Sequence, residues 1–302
     1  MAGGANPVKA VLYALGANFA IAVTKYIAAA ITGSGSMLAE AVHSTADCGN
    51  QLLLLLGLKR SKLPPSPDYP LGYGKETYFW SFIVAIMLFS VGGLFSVYEG
   101  WHKLHEPETL SYPLLALGVL AFGIAAESVS MWGCLREVNI SRGDQSLVEW
   151  FKHSRNAELV VIFGEDLAAL IGLVLAFIAV SVAWATGDVM WDALGSIAIG
   201  VLLIIVAILV GVEVKALLVG QGVEPRVRKE MLAFLEQQPQ VAQVMNVLTL
   251  HMGAQVLVAI KARIRPQGSE DAMVQAINAT EVAFRARFPD VNWVFFEPDI
   301  TD

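Results

Sequence analysis

A bundle of six transmembrane helices followed by a small α+β domain is the fold class the sequence predicts, on three observations. The 302 residues are 56% hydrophobic and 16% charged, with a mean hydropathy of +0.59, against roughly 45–50% and about 25% in ordinary soluble domains. Six stretches stay apolar over the ~20 residues needed to cross a hydrocarbon core of about 30 Å. After residue 220 that character stops, and shorter alternating and amphipathic segments follow. The predicted division is a transmembrane unit over 1–220 and a cytoplasmic C-terminal αββαβ domain over 221–302.

The six spans are expected near 9–32, 37–58, 77–101, 112–135, 157–184 and 191–218. The segment KRSKLPPSPDYPLGYGKE between the second and third is rich in proline and glycine, which end helices and make a loop. The segment REVNISRGDQSLVEWFKHSRN between the fourth and fifth is polar with an amphipathic middle. In the C-terminal part, EPRVRKEMLAFLEQQP has helical spacing, and VAQVMNVLTLHM and QVLVAIKARI alternate as strands around a turn at Gly253. A second helix opens with Ser269 as N-cap and Asp271 in its first turn, and VNWVFFEP closes as a strand.

Charge sets the orientation. Lys59, Arg60, Lys62 and Lys75 lie between spans two and three, and Arg136, Arg142, Lys152 and Arg155 between spans four and five, whereas Lys103 stands alone between spans three and four. Positive residues favour the cytoplasmic side, so both termini are expected there. MAGGANPVKA lacks the basic start and cleavage site of a signal peptide, so the first apolar stretch is expected to remain. The net charge of −7 comes without a basic run, which argues against a nucleic-acid partner. Cys48 and Cys134 form no CxxC pair, which excludes a disulfide framework and the usual thiolate zinc site.

Ionisable residues at membrane depth carry the functional signal, because each costs several kcal/mol and such residues mark ion or substrate paths. His43 and Asp47, at i and i+4 in LAEAVHSTADCGNQ, share a helix face. An imidazole and a carboxylate make half of a site for a borderline divalent ion such as zinc, or else a buried pair that fixes helix packing. In the fifth span, NAELVVIFGEDLAALIG carries Glu158, Glu165 and Asp166. Glu158 and Glu165 share a face about 10 Å apart, while Asp166 points about 100° away from Glu165, so the three cannot meet at one ion. Glu158 reads as a headgroup-level residue. For Glu165 and Asp166, deep and adjacent, a bound cation or proton is the simpler account. Asn18, Lys25, Glu40, Asn50 and Glu127 are further polar interruptions of the spans. Lys25 reads as one half of a lysine–carboxylate pair that braces helices, and Asp192 as a first-turn acid at a helix N-terminus.

Helix 2 SMLAEAVHSTADCGNQ, the loop YPLGYGKE, the sixth-span stretch DALGSIAIGVLL and the ending FFEPD resemble, in order and spacing, the cation diffusion facilitator transporters across nearly the whole chain. GYGKETYFWSFIVAIMLFSVGGLFSVYEG most resembles the branch that includes a mitochondrial zinc transporter of animals and its bacterial relatives. The resemblance implies a homodimer in the lipid bilayer of a bacterial inner membrane and a ferredoxin-like cytoplasmic domain. It also implies exchange of divalent metal ions for protons by alternating access, with the ion between helices 2 and 5. His43 and Asp47 match the family's helix 2 pair. Helix 5 departs from the pattern, since Ile162 stands where a histidine is expected; Asp166 is the first choice as ligand and Glu165 the second. Tyr69 and Tyr73 replace loop histidines of many members, which argues against an auxiliary loop site. In the C-terminal domain only His251 remains, with Phe295 and Glu297 where metal-binding members often have His and Asp. His153 is expected to be solvated.

No prosthetic group is expected; the metal is cargo, zinc first, with Mn2+, Co2+, Cd2+ and Fe2+ compatible with a site of one imidazole and carboxylates. Such ligands bind metal only when deprotonated, so one site can serve metal and protons in turn. The rival reading is an intramembrane zinc-dependent enzyme. Against it, the chain has no HExxH motif.

Overall fold

The computed structural model describes residues 6–32, 35–106 and 112–301, with the side chains of 32, 35–40, 42 and 43 excepted. The first two helices are α1 (Pro7–Thr32) and α2 (Gly35–Arg60). The third span, Glu76–His105, consists of α3 (Glu76–Met87), a π-helical segment Leu88–Leu94 and α4 (Phe95–His105). Next come α5 (Pro113–Arg142), the short α6 (Leu147–His153), α7 (Ala157–Thr186) and α8 (Met190–Val219). Among the described residues, Pro7–Ile31, Glu76–His105, Pro113–Arg142, Ala157–Thr186 and Met190–Val219 are long and apolar enough to cross a membrane. The 26-residue α2 packs among them as the sixth. Helices suit that setting because every backbone N–H and C=O within them is paired inside the segment.

The six spans close a ring. Helix α1 touches α2 and α5, α7 touches α5 and α8, and the third span joins α8 to α2. The contact between the third span and α8 is unusually close at glycines. A Cβ on Gly93 would lie 2.6 Å from Ile204 Cγ1, and one on Gly200 would lie 2.6 Å from Val97 N. Small residues of this kind let transmembrane backbones approach. The sequence expectation of a fourth span ending near residue 135 is corrected: α5 runs on to Arg142, seven residues further. Its polar end is covered by α6, whose Ser146 Oγ caps Glu149 N at 3.2 Å and whose Trp150 is buried and donates to Ser141 Oγ at 3.2 Å.

The C-terminal region is α9 (Pro225–Glu236), β1 (Val241–Met252), β2 (Gln255–Ile264), α10 (Glu270–Arg287) and β3 (Val291–Pro298). Strand order is β1-β2-β3, antiparallel between the first two and parallel between the last two. Alternation in β2 places Val256, Val258, Ile260 and Ala262 on one face, where they form a core with Met231 and Leu235 of α9 and Phe284 of α10. Both helices therefore cover the same side of the sheet. Ser269 Oγ caps α10 by accepting from Ala272 N at 3.2 Å, as its sequence predicts.

The sheet domain docks on the bundle through backbone. The Tyr78 hydroxyl donates to Gly253 O at 3.2 Å and accepts from Gly253 N at 3.0 Å, so one side chain holds both polar groups of the β1–β2 turn. Gly253 has φ +75°, and its backbone lies so close to Gly74 that a Cβ on either residue would collide with the other segment's backbone. Arg155 Nε donates to Gly222 O at 2.8 Å, and Gln145 Nε2 to Glu224 Oε2 at 3.2 Å. His251 lies beside this contact, with Nδ1 3.5 Å from Gly253 O. Burial pushes the His251 imidazole down to about 4 from the usual 6.5, and the Arg155 charge acts in the same direction.

Two outcomes follow from this contact. Gly74→Ala forces overpacking that typically costs about 1–3 kcal/mol, and Tyr78→Phe removes two hydrogen bonds of about 1 kcal/mol each. Both variants should become more susceptible to protease between Gly220 and Pro225, and a wild-type cleavage rate in both would contradict the docking role. Because the His251 pKa is lower folded than unfolded, its contribution to stability is present above pH 6.5 and is lost progressively as pH falls toward 4. The same cleavage should therefore rise over that window in wild type and rise less in His251→Gln.

Candidate metal centre

Seven polar interruptions of the spans, Asn18, Lys25, Asp47, Asn50, Glu127, Glu165 and Asp166, line one cavity of about 170 Å³ inside the ring. Its charged and amide lining includes Lys25 of α1, Asp47 and Asn50 of α2, Glu127 of α5, and Glu165 and Asp166 of α7. The cavity extends along the outer halves of its walls to Glu99 in α4 and Ser196 in α8, away from the sheet domain. On the sheet-domain side the ring is filled by a core that includes Leu58, Tyr78, Val84, Val160 and Val214. The π-helical segment Leu88–Leu94 borders the cavity through Leu88, Val91 and Gly92. Wide turns of this type recur at functional sites because they displace backbone and side chains from the regular helix path.

Glu165 and Asp166 are adjacent in sequence, yet they are held by different helices. Glu165 Oε2 accepts from Gln51 Nε2 at 2.9 Å and its Oε1 accepts from Asn50 Nδ2 at 3.3 Å, both across to α2. Asp166 Oδ2 accepts from Ser130 Oγ of α5 at 2.8 Å. The divergence of about 100° per residue is thus used to tie α7 to two neighbours at once. Glu165 is 5% exposed and Asp166 2% exposed. Asp47 is half-buried on the same cavity. The His43 side chain lies outside the described residues. Among the described residues, no three His, Cys, Asp or Glu side chains already meet at metal-binding distances. Asp47, Glu127, Glu165 and Asp166 stand around the cavity, leaving a space that fits several waters at about 30 Å³ each.

Burial and contacts add to three readings of the sequence. Glu158 stands in the first turn of α7 and is 6% exposed, buried in the bundle beside Thr77 of the third span. Lys25 is 8% exposed and lines the same cavity as the carboxylates. Asp192 does stand in the first turn of α8, and it also binds Lys103 Nζ at 3.1 Å, with Glu99 3.2 Å from the same ammonium. Gln51 and Ser130, which position the two α7 carboxylates, were missed. Each is fully buried, and the only signal in the sequence was a polar residue amid leucines or small residues in a span. Outside the bundle, Tyr69 and Tyr73 pack against each other with ring centroids 4.5 Å apart, and His153, Phe295 and Glu297 are exposed.

A family model described as the cation efflux transmembrane domain matches residues 11–219. The chain is 31% identical over 251 residues to the mitochondrial proton-coupled zinc antiporter SLC30A9 of Homo sapiens, which is 82% of this chain and 44% of that protein. It is 29% identical over 229 residues to metal tolerance protein C4 of Arabidopsis thaliana, 75% of this chain and 50% of the relative. It is 29% identical over 112 residues to the magnetosome protein MamM of Paramagnetospirillum magneticum, 35% of each chain. The chain spans half or less of the length of these relatives. On the family match and the antiporter identity, the chain belongs to the cation diffusion facilitator family and carries its cation efflux transmembrane domain.

Proposed function

We propose that the chain is a secondary transporter that exchanges divalent metal ions, zinc first, for protons across the membrane. The single observation that carries this is the convergence of Asp47, Glu127, Glu165 and Asp166 on one cavity inside the ring. Four carboxylates facing one lysine at that depth leave an excess of negative charge that low-dielectric surroundings penalise steeply. A divalent ion or protons relieve it. Asp47 and Asp166 are the proposed ligands from α2 and α7, with His43 completing the α2 pair and Glu165 as the second α7 candidate. The amides of Asn50 and Gln51 orient Glu165, and the Ser130 hydroxyl orients Asp166.

Binding zinc displaces protons from these groups, and protons arriving from the other side help expel it. The packed core on the sheet-domain side and the cavity on the far side suit one of two alternating forms. The glycine contact between the third span and α8 would let those helices rock as a unit. Residues 1–220 form the proposed transport unit and 221–302 a cytoplasmic domain, with both ends on the side of the Lys/Arg-rich loops, which is the cytoplasm for a bacterial inner membrane. The working unit is proposed to be a homodimer.

In proteoliposomes, wild-type protein should carry Zn2+ faster with an opposing proton gradient than without one. Asp47→Ala and Asp166→Ala should bring the flux down to that of protein-free vesicles while the protein stays monodisperse. Wild-type flux in both variants would sink the ligand assignment, and flux indifferent to the gradient would sink proton exchange.

A further inference from the structure

Glu127 sits at the midpoint of α5 (Pro113–Arg142), the fourth span, where a charge is furthest from both membrane surfaces. It is 3% exposed, and it lines the cavity that Asp47 and Asp166 line. The charged groups that bear on it are Asp166, Asp47 and Lys25. Its Oε2 is buried with no hydrogen-bond partner among the described residues. Asn50, on the same cavity, commits its Nδ2 to Glu165 Oε1, and its Oδ1 is likewise buried with no partner among the described residues. Buried oxygens left unsatisfied each cost of order 1–3 kcal/mol, so two of them around one cavity point to something they bind there.

The other half of the argument is a gap. Ile162 is fully buried and packed in the core formed with Val160, Leu159 and Val210, so that position of α7 offers the cavity no ligand. On the α5 side, Ser130, one turn beyond Glu127, holds Asp166 at 2.8 Å and so sets α5 against α7 with Glu127 toward the cavity. We propose that Glu127 is a further carboxylate of the cation site, supplied by the fourth span in place of the side chain that Ile162 lacks, and that with Asn50 Oδ1 it makes the site rich in oxygen donors. Oxygen donors suit harder cations and a retained water shell better than nitrogen donors do, so the consequence is a shift of selectivity toward Mn2+ relative to a site in which a second histidine stands at the position of Ile162.

This inference rests on the metal-transport reading above, and the test separates the two. Full-length protein in detergent is titrated calorimetrically with ZnCl2 and with MnCl2, comparing wild type, Asp47→Ala, Glu127→Gln, Glu127→Asp and Glu127→His. Wild type should bind both ions and Asp47→Ala neither. Glu127→Gln should bind each about 10–100-fold more weakly, the range seen when groups that support a metal site are lost. Glu127→His should raise the ratio of zinc to manganese affinity, which a purely structural Glu127 would leave unchanged. If Glu127→Gln does not fold, Glu127→Asp, which keeps the charge and withdraws it by one methylene, should still weaken binding and change that ratio. Wild-type affinities and ratio in the folded Glu127 variants overturn the role of Glu127 while the transport reading stands. Failure of wild type to bind either ion overturns that reading and the inference with it.

Discussion

Charge inside an apolar ring is the constraint on which the rest of this structure depends. A carboxylate at the depth of Glu165 or Asp166 is stable only if its oxygens are hydrogen-bonded or a cation stands by. The chain meets the first requirement with neutral donors from two other helices: Asn50 and Gln51 on α2, Ser130 on α5. Those bonds do two things. They keep the acids oriented, and they tie α7 to α2 and α5 across the cavity.

The same economy of polar contacts governs the junction with the sheet domain. Tyr78 belongs to the third span, which borders the cavity through its π-helical segment, and its hydroxyl grips the β1–β2 turn at Gly253. A displacement of the third span thus has a direct mechanical path to the sheet domain. Gly74 and Gly253 make that path short by letting two backbones touch. Arg155, just before α7, makes a second link at Gly222. The third span and α7, which both line the cavity, are therefore linked to the same small domain.

The six spans, the αββαβ order and the N-cap at Ser269 were legible because each depends on local pattern: apolar length, alternation, and a hydroxyl before a helix. His43, Asp47, Glu165 and Asp166 were legible as candidates for the same kind of reason, since an ionisable residue in a span stands out. The roles of Gln51 and Ser130 were hidden, because a neutral polar residue in a span is common and its partner lies on another helix. The cover that Thr77 of the third span gives Glu158 was hidden too, because a position near a helix start says nothing about which neighbours pack on it.

What the sequence by itself determined, then, is which residues cross the membrane and which of them carry charge, since burial cost is a property of each residue and its local run. Which carboxylates share a cavity, which donor holds each, and that Ile162 faces a packed core while Glu127 faces the cavity were decided only by tertiary structure. Those facts depend on the rotation of each helix about its axis, and rotation is set by packing against neighbours distant in the chain.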